Sequence, residues 1–216
     1  MIISISGKIG SGKDTIAEII KEKMPAAEWE VKKFAGKLKE VATLLTSIPI
    51  DKFEDQSFKQ TSLPSEWNDT DNEPMTVRDL LQKLGTEAMR QGLHENVWVN
   101  ALFSDYIPTN LQEVSDELAP LYPTRPMIRN SVTPLIYPNW IITDTRFPNE
   151  IDACVNRGAM TILVQRDSGN HIGIAHTSET ALDDYNQWDY IIDNTGSVEN
   201  LRRKVHEIFR ENSIIN

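Results

Sequence analysis

The first twenty residues, MIISISGKIGSGKDTIAEII, constrain the fold of this chain more than any other stretch. They read as strand, glycine-rich turn and helix. Ile2, Ile3 and Ile5 form a short β-branched run that Ser6 and Gly7 bound, and Gly7, Gly10, Gly12 and Lys13 then carry the spacing G-x-x-x-x-G-K. This is the phosphate-loop pattern. Glycines let successive backbone N–H groups curl around phosphate oxygens where a Cβ would intrude. The helix that begins near Lys13 adds its positive dipole end, and the Lys13 ammonium reaches for the outer phosphates. The candidate phosphate-binding residues are therefore Gly7, Lys8, Gly10, Ser11, Gly12, Lys13, Asp14 and Thr15.

One position departs from the pattern. A hydroxyl residue is expected after the lysine, to ligate Mg²⁺, but Asp14 stands there and Thr15 follows. A carboxylate beside a triphosphate is repulsive unless a metal or its waters lie between them. Either Asp14 holds Mg²⁺ through water or Thr15 replaces the missing hydroxyl.

Four further stretches repeat the alternation of strand and helix. Glu30–Ala35 (EVKKFA) predicts a second strand, and Leu38, Val41, Ala42 and Leu45 give the next helix its apolar face. Phe34 and Lys37 then fall at the carboxyl end of a strand, where open α/β sheets bind ligands. Trp140–Asp144 (WIITD), Met160–Gln165 (MTILVQ) and Asp189–Asp193 (DYIID) predict three more buried strands. Ser197 caps a last helix, with Val198, Leu201, Val205, Ile208 and Phe209 on its buried side. Five short strands separated by helices predict a parallel, three-layer α/β sheet, with the second and third strands together on one side of the first. One domain with insertions fits a chain of 216 residues.

The acidic strand end at Asp144 is the expected place for a carboxylate that holds Mg²⁺ or its waters, and Arg146 follows two residues on. A structural Asp–Arg pair capping the strand is the competing reading. Arg166 terminates the fourth strand ahead of the polar run 167–184, which reads as a lid closing over phosphates. His171 and His176 within that run lack a third ligand at metal spacing.

Between the halves of the sheet lie a polar excursion, 51–73, and a helix that Thr76 caps. Val77, Leu80, Leu81, Leu84 and Ala88 form the expected buried stripe of that helix. Arg78 and Gln82 fall together just off the stripe and Arg90 lies farther round. Beside an apolar wall, such residues either make a pocket for a phosphorylated base or form an exposed polar face. A helix at 94–106 carries Trp98 on its apolar side. Residues 107–139 hold six prolines, so an insertion is expected there with one short helix near 111–118; Arg125 and Arg129 within it have no assigned role.

Composition narrows the partners. The net charge is −10, yet residues 1–40 hold eight Lys/Arg against six Asp/Glu while the remainder holds fourteen against twenty-six. An acidic body disfavours polymeric nucleic acid and tolerates a small anion held by a few placed cations. No run approaches the roughly 18 apolar residues of a membrane span, and no signal peptide is expected at the N-terminus. The single cysteine, Cys154, fits a reducing cytoplasm and reads as a buried small hydrophobe.

Taken together, SGKIGSGKDT, FAGKLK, TVRDLLQKLGTEAMR followed by WVNAL, and ITDTRFPNEID resemble, in this order, the bacteriophage deoxynucleoside monophosphate kinases. An Asp after the loop lysine is usual in that family. The resemblance covers about two-thirds of the chain and leaves the polar excursion and the proline-rich stretch uncovered. It implies a nucleoside monophosphate kinase fold with a helical substrate-binding insertion at 51–139 and a lid at 166–180. It also implies transfer of the ATP γ-phosphoryl group to a deoxynucleoside monophosphate, with Mg²⁺ as cofactor, and a homodimer by analogy. Carried onto this chain, Lys13, Asp144, Arg146 and Arg166 are the catalytic candidates. Phe34, Lys37, Arg78, Gln82, Thr86, Glu87, Arg90, Trp98, Arg146 and Glu150 are the substrate-binding ones, and Asp14 and Asp144 the metal ligands. Another phosphate-loop kinase for a small molecule, of the phosphomevalonate or dephospho-coenzyme A type, and a non-catalytic nucleotide-binding regulator stay open as alternatives.

Overall fold

The computed structural model describes residues 1–68, 71–109, 134–166 and 180–212. Arg125, Arg129, His171, His176, the expected helix at 111–118 and nearly all of the expected lid lie outside them.

Contacts divide the chain into two compact units, residues 1–33 with 103–216, and residues 34–102. The first is built on β1 (Ile2–Ser6), β2 (Glu30–Lys32), β3 (Trp140–Thr145), β4 (Met160–Gln165) and β5 (Tyr190–Asp193), all parallel in the order β2-β3-β1-β4-β5. The strands expected second and third do lie on one side of the first. Parallel strands covered on both faces read as near-continuous apolar runs, which is why the sequence betrays them so clearly. Helix α1 (Lys13–Lys23) packs Ile16, Ala17, Ile19 and Ile20 onto Ile3, Ile5, Ile141 and Val164. The last helix, α6 (Val198–Glu211), covers the same face with Leu201, Val205, Ile208 and Phe209. Ser197 caps it as expected, but Val198 is 57% exposed because it stands in the first turn, before the helix reaches the sheet. On the opposite face, α5 (Pro148–Val155) buries Ile151 and Cys154. Burial pushes the Cys154 thiol up to about 12, so this residue is the inert small hydrophobe that was expected.

The second unit begins with α2 (Phe34–Thr46). The expected second strand therefore stops three residues early, at Lys32. Phe34 and Ala35 join the helix, drawn in by the run of Ala, Lys, Leu and Glu that follows. The polar excursion is made of 3₁₀ turns at Ile50–Glu54, Phe58–Gln60 and Ser65–Trp67. It is anchored by Phe53, fully buried, and Leu63, which pack with Ala42, Val77 and Leu80. Helix α3 (Val77–Gln82) starts at a reciprocal cap: Asp79 N–H donates to Thr76 Oγ1 at 3.1 Å, and the Asp79 carboxylate accepts from Thr76 N–H at 3.0 Å. From Lys83 to Gln91 the chain widens into a π-helix. That turns Gly85 inward and leaves Ala88 exposed, against the stripe expected for a regular helix. Helix α4 (Val97–Phe103) is shorter than expected and buries Trp98, Val99 and Leu102. No helix among the described residues is long and apolar enough to cross a membrane.

Candidate active site: a phosphate loop and its cations

The loop after β1 has the conformation its glycines permit. Gly7 and Gly12 take φ of 148° and 103°. A Cβ on Gly7 would lie 2.4 Å from the Val164 carbonyl oxygen, and one on Gly12 would lie 2.4 Å from the Asn194 side-chain nitrogen. Both positions exclude a side chain by contact as well as by dihedral. Lys13 Nζ donates to the carbonyl oxygens of Gly7 at 2.6 Å and Lys8 at 2.8 Å, so the ammonium folds back over the loop. Ser11 is 1% exposed and its hydroxyl is buried with no hydrogen-bond partner. A buried hydroxyl with no partner in a glycine loop of this spacing fits a bound oxyanion.

Asp14 has partners that the sequence did not predict. Its Oδ1 accepts from the Thr143 hydroxyl at 2.9 Å and pairs with Lys33 Nζ at 3.4 Å. Lys33, just past β2, offsets the carboxylate charge that the sequence alone left uncompensated. Thr15 is exposed on the first turn of α1. Asp144 stands beside Thr143 at a break in register: Ser4 pairs with Ile142 while Ser6 pairs with Thr145. The extra residue sends Thr143 to Asp14 and Thr145 to Ser4, whose hydroxyls lie 2.8 Å apart. Among the described residues no three His, Cys, Asp or Glu are grouped to hold a metal by themselves. Mg²⁺ is usually held by one or two carboxylates together with phosphate oxygens, and Asp14 and Asp144 are donors of that kind.

A cavity of about 630 Å³ opens at the carboxyl edge of β1, β3, β4 and β5. Gly7, Lys8, Arg146 and Arg166 line it, so the first residues of the loop and both predicted arginines border one space, while Lys13 does not line it. Leu163 and Ile191 form an apolar part of the wall, and Tyr185 and Trp188 meet edge to face at 4.8 Å. Lys8 pairs loosely with Asp183 at 3.7 Å. Glu150 serves differently from its predicted role. It is 1% exposed, and its carboxylate accepts from the backbone N–H groups of Arg146 at 2.7 Å and Phe147 at 3.1 Å. It caps α5 and holds the backbone of Arg146 in place.

The other candidates belong to the second unit. Arg78 donates to Gln56 Oε1 at 3.1 Å, and with the Gln60 amide oxygen turned toward it, also to Gln60 at 3.0 and 3.2 Å. Its charge is met by neutral amides in these bonds. Gln82 and Thr86 are half-buried, Glu87 is exposed, and half-buried Arg90 bonds weakly to the Glu95 carbonyl at 3.4 Å. Lys37 pairs with Glu40 at 3.5 Å one turn along α2. Phe34, 2% exposed, and Trp98, 4% exposed, present no open ring face to a ligand; the Trp98 indole donates to the Gly85 carbonyl at 2.9 Å.

Three residues that sequence reasoning passed over complete the first unit's site: Lys33, Thr143 and Asn194. Only Thr143 carried a signal, as the neighbour of Asp144 at a strand end.

Residues 129–205 match the model of the deoxynucleotide monophosphate kinase family. The resemblance to the deoxynucleotide monophosphate kinases is borne out. The matched stretch runs from before β3 into α6, about a third of the chain, and does not include the phosphate loop. The loop and the family match therefore rest on different residues. No curated protein matches the chain.

Proposed function

We propose that this protein transfers the γ-phosphoryl group of ATP to a deoxynucleoside monophosphate, giving the diphosphate for DNA precursor synthesis. The observation that carries the reading is that the start of the phosphate loop, Gly7 and Lys8, borders one cavity with Arg146 and Arg166, together with the kinase-family match over 129–205.

In this reading the loop N–H groups and Lys13 hold the donor phosphates. Arg146 and Arg166 neutralise charge that builds between donor and acceptor. Arg78, with Gln82, Thr86, Glu87, Arg90 and Lys37, supplies the acceptor site, for which half-buried guanidinium groups suit a phosphate. An acceptor phosphate is already ionised, so no general base is needed; catalysis reduces to alignment and charge neutralisation. Asp14 and Asp144, directly or through waters, would hold Mg²⁺, which would supply further neutralisation of the phosphate oxygens. Lys33 and Thr143 orient the Asp14 carboxylate for that role.

The test is a coupled ADP-release assay with ATP and Mg²⁺, run against dGMP, dTMP, dCMP, dAMP and their ribose counterparts. Turnover with at least one deoxynucleotide is expected, falling by about 10²–10³ in Lys13→Ala. Arg78→Ala is expected to raise KM for the acceptor by about tenfold. Silence across the panel with ATP binding intact would exclude a nucleotide acceptor.

A further inference from the structure

A phosphate cradle works only if its peptide N–H groups face inward and its carbonyl groups are drawn outward. Four of the loop's carbonyls have identified donors. Those of Gly7 and Lys8 accept from Lys13 Nζ, and that of Gly12 accepts from Ile16 N–H at 3.0 Å in the first turn of α1. These donors are local, and the loop and helix bring them along. The Ser11 carbonyl depends on a distant residue: Asn194 Nδ2 donates to it at 2.8 Å, 183 positions away in sequence. Asn194 follows β5 directly and is 7% exposed, and its own N–H donates to the Gln165 carbonyl at the end of β4 at 2.7 Å.

The Ser11 carbonyl and the Gly12 N–H belong to one planar trans peptide, so they point in opposite directions. Whatever holds the carbonyl outward also aims the Gly12 N–H the other way. Gly12, at φ 103°, is the residue whose backbone offers least resistance to a flip of that peptide. The same amide nitrogen of Asn194 occupies the space a Gly12 Cβ would take. Glycine at 12 and asparagine at 194 are thus complementary: one leaves the room, the other fills it with a donor.

We propose that Asn194 is a positioning residue of the phosphate loop, holding the Ser11–Gly12 peptide so that the Gly12 N–H faces the bound phosphate. This rests on reading the loop as the donor-phosphate site. Asn194 touches no reacting atom in the proposal; it acts through one peptide group, tied to the sheet at β4.

The probe is inorganic tripolyphosphate, which reports the loop without any base or acceptor. In Asn194→Ala its affinity by calorimetry is expected to fall by about tenfold or more, the worth of one hydrogen bond to a charged group. Asn194→Asp, of equal size but with an acceptor facing the Ser11 carbonyl and an added charge, is expected to fall further. The rise in thermal midpoint that tripolyphosphate induces should shrink in both variants. A residue that merely stabilised the fold would lower the midpoint of the ligand-free protein and leave tripolyphosphate affinity unchanged. The Gly12 amide resonance should shift on titration in the wild type and lose most of that shift in Asn194→Ala. Unchanged tripolyphosphate affinity in Asn194→Ala overturns the inference and leaves the kinase reading intact. Absence of binding to the wild type overturns both. Should Asn194→Ala fail to fold, Asn194→Ser, which keeps a shorter donor, carries the same comparison and is expected to lie between Ala and the wild type.

Discussion

The two units of this chain are held together by different means. In the first, Ile3, Ile5, Ile16, Ile20, Ile141 and Ile162 are essentially inaccessible, and parallel strands bind one another along regular ladders with one break in register between β1 and β3. The phosphate loop grows out of that scaffold on a short tether. In the second, a small core of Ala42, Phe53, Leu63, Val77 and Leu80 ties together 3₁₀ turns, a six-residue α-helix and a π-helix. Wide and tight turns hold fewer good backbone bonds than a regular helix, so side-chain anchors carry more of the work. A rigid frame fixes the angles at which a loop presents its N–H groups; a unit held by a few side-chain anchors leaves its backbone freer to shift.

The sharpest way to break this contrast is Phe53→Ala. Removing the one fully buried ring of the second unit should cost about 3–5 kcal/mol. Amide exchange should rise across 34–102 while β1, β3 and β4 stay protected. Equal loss of protection in the sheet would show that the two units unfold as one. A smaller effect, about 1–3 kcal/mol, is expected for Trp98→Phe, which leaves the buried Gly85 carbonyl without its donor. Acceptor KM should not change; a rise in KM would place the indole in the binding surface after all.

Thr76→Ala removes the cap of α3 and should cost about 1 kcal/mol in denaturant titrations. The Thr76 hydroxyl, as donor, also holds the Asp79 carboxyl below its ordinary value of 3.8. A depressed acid stabilises the fold above its unfolded pKa and loses that contribution as pH falls through its folded one. The wild-type advantage over Thr76→Ala should therefore shrink below about pH 4, and a constant difference down to pH 2 would count against the pairing. The smallest expected signal is silence: Cys154, its thiol raised to about 12, should ignore a disulfide reagent at pH 8 until the first unit unfolds.

Much of the first unit was legible because its chemistry is local. A strand buried on both faces writes itself as an apolar run, and a phosphate loop writes itself in glycines and a lysine whose spacing the backbone demands. All five strands, and the place of β2 and β3 together on one side of β1, were expected from the sequence. So were the caps at Thr76 and Ser197, since capping involves residues three apart. The second unit was harder to read. Periodicity presumes a regular helix, so the π-helix moved Ala88 outward and Gly85 inward, and a lone Phe53 in a polar stretch gives no pattern to detect. Glu150 and Trp98 entered as binding residues only through the family resemblance; the helix pattern already put Trp98 on an apolar side, whereas the cap that Glu150 makes on α5 shows only in the structure.

The sequence by itself determined that a glycine-and-lysine loop of phosphate-loop spacing opens a parallel sheet, and that Asp144 and Arg146 stand at the end of a strand of that sheet. What only the tertiary structure decided is which distant groups complete that loop. Lys33, Thr143 and Asn194 lie 19, 129 and 180 positions or more from the loop residues they serve, and their contacts are made by strands that become neighbours only when the sheet assembles. A hydrogen bond across such a separation leaves no spacing in the chain, because the sheet sets the distance.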